Sequence, residues 1–369
     1  MKKFDKSKIP ILKRRAKKLL RRKIRSHKKK KQRNIHRIGR SKEQQRKNIN
    51  QQAKRWIFND YERITAPNVF SLIENTEESL SFIKKIESCF ERKKKVFIDL
   101  ENVESIAHGA IVVLLSILVK FKTKGIQFNG NFPQDKRAED TLKKSGFLKK
   151  LFDQTFVEQD VYSFKNEICT NTHANKKVDS NVSAEIIERA SIHIWNEKRI
   201  CTGLQRVFLE LMQNTNNHAS LEDTGEHHWW VSVYHSEHSS KVCFAFIDYG
   251  VGIFTSLENK KEDHKFFKII PKLKKLFNPS TNADVLKLLL KGEVHKTATG
   301  EYYRGKGLPG IFDACKNNKI SDLVIISNDA IADYANNKYE SLNNKLSGTF
   351  VYWELNATNC SGKVYGHAV

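Results

Sequence analysis

Apolar positions along the 369-residue chain fall into two patterns. Short apolar runs bounded by polar or glycine-containing turns read as strands: NVFSLI at 68–73, VFIDL at 96–100, GIQFNGNFP with its turn at 125–133, WWVSVYHS at 229–236, KVCFAF at 241–246 and the end of SGTFVYWEL at 347–355. Apolar residues at helical spacing predict helices over 76–90, with Leu80, Ile83, Ile86 and Phe90 on one side, over IAHGAIVVLLSILVKF at 106–121, and over SAEIIERASIHIW at 183–195. The spacing of Leu204, Val207, Phe208 and Leu211 predicts another, and the stretches 268–277, 285–290 and IFDACKNN at 311–318 also look helical.

Strand, helix, strand, helix through the first of these segments implies a small α/β domain with a mixed or parallel sheet, because parallel pairing requires helical crossovers. The expected organisation is a basic arm (1–55), an α/β domain (56–152), a connector of mixed polarity (153–198), a second α/β domain (199–356) and a tail (357–369). The apolar stretch at 106–119 is too short to cross a bilayer and contains His108, so it is expected as a core helix and no membrane span is expected.

Charge changes this picture at one end only. Residues 1–55 hold 25 Lys or Arg against two acids, Asp5 and Glu43, a net of +23 out of +25 for the whole chain. The arm has neither a long apolar core nor a small-residue cleavage pattern, which excludes a secretory signal. KRRAKKLLRRKIRSHKKKKQR reads as an arm for nucleic-acid phosphate, where each bound cation releases a condensed counterion. A solvated tail and a helix lying on anionic lipid, through Ile9, Ile11, Leu12, Leu19, Leu20 and Ile24, are the competing readings. The six cysteines lack paired spacing and read as reduced core thiols of a cytoplasmic protein. His227, His228, His235 and His238 flank a strand without cysteines at zinc-ligand spacing.

Candidate chemistry centres on ELMQNTNNHA (210–219), where Glu210, Asn214 and His218 recur every fourth residue and share one side of the helix opposite its apolar side. Downstream, IDYGVGI (247–253) ends a strand in an aspartate and two spaced glycines. GKGLPGI (305–311) is a glycine-rich turn entering a helix, and Gly348–Thr349 open the last strand. Glycine turns allow close backbone approach, and a helix N-terminus offers free N–H groups to phosphate.

In this order the four blocks resemble the ATP-binding fold of the GHKL class, the gyrase, heat-shock chaperone, histidine kinase and mismatch-repair ATPases, with the first block closest to the anti-sigma-factor serine kinases. The resemblance implies a Bergerat-type α/β sandwich binding ATP and Mg²⁺. It implies that Asn214 coordinates Mg²⁺, that Asp248 receives the adenine amino group, and that Gly250 and Gly252 let the backbone pass the nucleotide. Gly305, Lys306 and Gly307 would shape a phosphate lid, Thr349 would back adenine through water, and 254–304 would form a closing segment. Glu210 would be the general base, or else a neighbour of the Mg²⁺ ligand. VFIDLENVESIAHGAIVVLLS resembles a STAS domain, the fold of anti-sigma-factor antagonists. However, Ala107 and His108 stand before Gly109, and Ser105 is displaced, so a serine-phosphorylation switch is not expected and the domain reads as a scaffold or protein-partner surface. The expected function is a Mg²⁺-dependent ATPase acting as a regulatory switch, with homodimerisation compatible with the class. A serine/threonine protein kinase and a nucleic-acid-binding adaptor holding ATP structurally are the alternatives.

Overall fold

The computed structural model describes residues 18, 21–22, 25–26, 60–152, 167–171, 180–218, 229–235, 240–258, 277–292, 307–359 and 363–364. Met1–Asp60 and Tyr61–Val369 are separate compact units. In the first, Lys18, Arg21, Arg22, Arg25 and Ser26 are helical and exposed.

The second unit begins with β1 (Glu62–Thr65), β2 (Val69–Phe70), α1 (Thr76–Glu91), β3 (Val96–Asp99), β4 (Ser105–Ile106), α2 (His108–Thr123) and β5 (Phe128–Gly130). Strands β1, β3 and β5 form a parallel sheet in that order, linked through α1 and α2, and β2 pairs in parallel with β4. The expected α/β order is therefore present, with the helix expected at 106–121 beginning at His108. Two short helices, α3 (Lys136–Lys144) and α4 (Phe147–Phe152), close this layer. The Asp135 carboxylate caps α3 by accepting from the backbone N–H groups of Arg137 and Ala138, at 2.9 Å each.

There follow β6 (Glu167–Asn171), α5 (Ser180–Trp195), β7 (Arg199–Ile200), α6 (Thr202–His218), β8 (Trp229–His235), β9 (Lys241–Asp248), α7 (Ile253–Glu258), α8 (Asn282–Leu290), α9 (Gly307–Lys316), β10 (Ser321–Asp333), β11 (Lys338–Asn356) and β12 (Lys363–Val364). Five of these strands form an antiparallel sheet ordered β10-β11-β9-β8-β6, and β12 pairs with β7. Strand β6 corrects the sequence reading, which placed it inside a connector. It pairs with β8, Cys169 opposite Val231, and its five polar-mixed residues carry too short a pattern to announce an edge strand.

Both faces of the five-stranded sheet are covered. Phe244 and Phe246 of β9, Val231 of β8, Ile325 of β10 and Val351 and Trp353 of β11 pack into one core with α5, α6, α8 and α9. Their sequence neighbours Ala245, Ile247, Trp230, Val324, Ile326 and Phe350 pack into a second core with α1 and α2. Side chains alternate across a strand, so the uninterrupted apolar runs are what a sheet buried on both sides requires. Helix α2 is apolar all round because it lies between the two sheets, with Ala110 to Leu118 buried throughout. The boundary expected between 56–152 and 199–356 is thus a shared core. Gly109 marks the closest approach: a Cβ there would stand 2.9 Å from the Phe350 ring and 3.3 Å from the Ala245 Cβ.

No helix among the described residues is long and apolar enough to cross a membrane.

Candidate functional site

Helix α6 buries Leu204, Val207, Phe208, Leu211 and Met212, the i, i+3, i+4, i+7, i+8 stripe that fixes which side faces the sheet. Phe208 meets Phe244 and Trp353 edge-on, at centroid distances of 5.6 and 5.2 Å. The opposite stripe presents Arg206, Glu210 and Asn214, and the Arg206 guanidinium lies 3.8 Å from the Glu210 carboxylate. The first turn of α9 lies against this stripe. A Cβ on Gly307 would be 3.1 and 3.2 Å from the Asn214 amide atoms and 3.4 Å from the Glu210 carboxylate, and one on Gly310 would be 2.8 Å from the Arg206 guanidinium. Bare glycines let the two helices approach here, and the first N–H groups of α9, which lack intrahelical acceptors, come with them. Glu210 and Asn214 are therefore half-buried, while Arg206 stays exposed.

A second cluster forms where β9 ends. Asp248 is flanked in register by Thr349 of β11 and Trp229 of β8. Asp248 and Thr349 continue the alternation of Phe244–Phe246 and Val351–Trp353, so both belong to the sheet face that α6 covers. The Asp248 carboxylate accepts from the Gly250 N–H at 3.0 Å, and burial pushes its pKa up to about 6 against the backbone hydrogen bonds of Gly250 and Thr349. Gly348 is required at φ +110°, because a Cβ would lie 1.9 Å from the Asp248 carbonyl oxygen. Gly252, at φ +78°, leaves room for the Asn328 side chain, which a Cβ would meet at 2.3 Å.

Ser327 and Asn328, which sequence reasoning missed, hold the turn after Asp248. The Ser327 hydroxyl accepts from the Ile253 N–H at 2.9 Å and lies 3.0 Å from the Thr349 hydroxyl. The Asn328 amide accepts from the Phe254 N–H at 3.2 Å and donates to the Val251 carbonyl at 3.0 Å. Asn328 sits at φ 49°, where asparagine is favoured, so SND within a strand-like run was the available signal.

The structure thus brings Glu210, Asn214 and Gly307 together, and separately Asp248, Gly250, Gly252 and Thr349. Gly305, Lys306, most of the expected closing segment at 254–304 and most of the arm at 1–55 lie outside the described residues, as does the side chain of His218. His108 stacks on Tyr234 with ring centroids 4.0 Å apart, and burial pushes its imidazole down to about 4, which makes it a neutral packing group at the start of α2. No group of three or more His, Cys, Asp or Glu suited to a metal ion occurs among the described residues.

The donor set suits a nucleotide phosphate with a hard cation. Asn214 and Glu210 offer oxygen atoms on one helix face, as Mg²⁺ prefers, and it is usually held by one or two protein oxygens plus phosphate. The α9 N-terminus beside them suits the anion, and the Asp248 carboxylate suits an amino donor. No family model matches the chain, and no curated protein matches it.

Proposed function

We propose that the chain is an ATP-binding regulatory protein of the GHKL class that hydrolyses ATP with Mg²⁺, its ATP-binding layer fused to a STAS-like layer. The observation that carries this reading is the close approach of Gly307 to both Asn214 and Glu210, since the sequence places these residues in two blocks about 90 positions apart and the class requires them around one phosphate chain. Asp248 and Thr349, paired in register on the sheet face that α6 covers, support the adenine end of the same reading.

Asn214 would hold Mg²⁺, which when bound supplies charge neutralisation at the phosphates. The α9 N-terminus orients the terminal phosphate, and Asp248 accepts a hydrogen bond from the adenine amino group. Glu210 takes the proton of a water whose oxygen forms a bond to the γ-phosphorus as the bond to the ADP oxygen breaks, the electron pair leaving with ADP. The test is ATP turnover alongside binding for wild type, Glu210→Ala and Asn214→Ala. The reading predicts that Glu210→Ala binds without turnover and that Asn214→Ala loses Mg²⁺-dependent binding. Binding without turnover in wild type itself would overturn hydrolysis and favour transfer to a protein hydroxyl.

The arm belongs to the same proposal as a nucleic-acid contact. Its helical residues Lys18, Arg21, Arg22 and Arg25 recur at i, i+3, i+4, i+7 and are exposed, a single cationic stripe suited to a phosphate backbone. Removing residues 1–60 is expected to abolish RNA and DNA binding together with its salt dependence while leaving ATP binding in place.

A further inference from the structure

Between Asp248 and Gly250, the residue of the turn itself reaches out of the nucleotide-binding layer. The Tyr249 hydroxyl lies 2.7 Å from the Ser116 hydroxyl and 3.1 Å from the Val113 carbonyl, both on α2. The Lys120 ammonium, one helical turn further along α2, stands 3.5 Å from the centre of the Tyr249 ring. Ser116 is buried, and its hydroxyl also lies 2.6 Å from the Val113 carbonyl, so the three oxygens form a triangle in which two O–H protons serve three close contacts at the foot of the turn. A second tie lies nearer the surface: Ser347, two residues before Thr349, donates to the Glu87 carboxylate of α1 at 3.2 Å.

We propose that Tyr249 is a positioning residue for nucleotide recognition, setting the Asp248 carboxylate by anchoring its turn to α2, so that the first α/β layer forms part of the ATP site. This rests on the reading of Asp248 as the adenine partner. The physical reasoning is one of leverage. Asp248 and Gly250 are the covalent neighbours of Tyr249, and the short turn between β9 and α7 leaves the carboxylate little freedom once the ring and hydroxyl of Tyr249 are fixed. The other side of the turn is fixed within its own layer by Ser327 and Asn328, so α2 supplies the anchor that Tyr249 itself makes across the layers. Burial lowers the Lys120 ammonium to about 8 and raises the Glu87 carboxyl, their mutual attraction offsetting part of each shift, so the anchor sits in surroundings where polar contacts are stronger than in water. A ligand that moves α2 would then change nucleotide affinity, and by reciprocity ATP would change affinity for that ligand.

The experiment compares ATP and GTP binding by the full chain, as wild type, Asp248→Asn, Tyr249→Phe, Ser116→Ala and Ile117→Val, well below the unfolding temperature. Tyr249→Phe keeps the ring and removes only the hydroxyl. It is expected to weaken ATP binding by about fivefold, the worth of a hydrogen bond of about 1 kcal/mol, and to narrow the preference for ATP over GTP. Ser116→Ala is expected to follow it. Ile117→Val trims the α2 core without touching the triangle, lowers stability and is expected to leave both affinities unchanged. Wild-type affinity and preference in Tyr249→Phe, with binding lost in Asp248→Asn, overturns the positioning role and leaves the nucleotide reading standing. Equal weakening by Ile117→Val also overturns it, because loosened packing would then explain the effect. If wild type binds neither nucleotide, or Asp248→Asn binds both as wild type does, the underlying reading fails instead.

Discussion

The backbone of Gly307 rests against the side chain of Asn214, so close that a Cβ on the glycine would come within 3.1 Å of the amide nitrogen. Few Cβ atoms make so short a contact, and the neighbour must yield by a few tenths of an ångström. Gly307→Ala therefore displaces Asn214 and only touches Glu210, while the helix itself gains from the exchange by up to about 1 kcal/mol. The expected outcome is ATP affinity reduced by roughly three- to tenfold, about 0.7 to 1.4 kcal/mol, with a thermal midpoint within a few degrees of wild type. Calorimetric titration and a thermal melt check both halves. A large fall in the midpoint with unchanged affinity would make the contact one of packing alone.

Gly109, in the first turn of α2, is packed directly against the five-stranded sheet. A Cβ would sit 2.9 Å from the buried Phe350 ring. Gly109→Ala is expected to destabilise the fold by about 1–3 kcal/mol, the ordinary cost of overpacking, despite the higher helix propensity of alanine. Denaturant midpoints measure it, and a stabilised variant would show that α2 is free to lift from the sheet.

At Gly348 the penalty has two sources. The residue adopts φ +110°, and its Cβ position is taken by the Asp248 backbone oxygen at 1.9 Å. Gly348→Ala must part β11 from β9 at the Asp248–Thr349 pair, for an expected loss of about 3 kcal/mol or more. Urea unfolding would read this directly, and wild-type stability would mean that the strands are not in this register.

How much of this was legible in the sequence depends on the range of the interaction. The α6 stripe, the strand ending in Asp248 and the helix after Gly307 were readable because burial and turn chemistry repeat locally, and the strands of the first layer appeared for the same reason. That 61–152 and the five-stranded sheet share one core was written in VCFAFI at 242–247 and FVYW at 350–353, runs without a charged residue on either face, but nothing local says what covers the second face. Strand β6 has no apolar alternation of its own and is defined by its pairing with β8. Arg206, Tyr249, Ser327 and Asn328 act through partners between 4 and about 130 positions away, and such partners appear only when the chain is folded.

The Asp248 carboxyl carries a pH signature that separates its stability cost from its use. Its ordinary value of 3.8 is raised to about 6 on folding, burial being the cause. A raised carboxyl binds more protons folded than unfolded between those values, so its contribution to stability is full below about pH 4, declines as the pH rises through about 6, and is absent above. The difference amounts to roughly 3 kcal/mol as an upper bound. Asp248→Asn removes the ionisation and is expected to be more stable than wild type at pH 7.5, by up to that amount, and equal to it near pH 4. Recognition runs the other way. On the proposed reading the ionised carboxylate accepts from the adenine amino group, so wild-type ATP affinity is expected to fall as the pH drops below about 6. In Asp248→Asn the side-chain oxygen that faces the Gly250 N–H leaves the amide NH₂ pointing at another donor, and ATP binding is expected to be lost at every pH. Unfolding curves and ATP titrations at pH 4.5, 6 and 7.5 give both series. A variant that is no more stable than wild type at pH 7.5 would mean that the carboxylate is well solvated, and a pH-independent ATP affinity would remove Asp248 from the adenine contact.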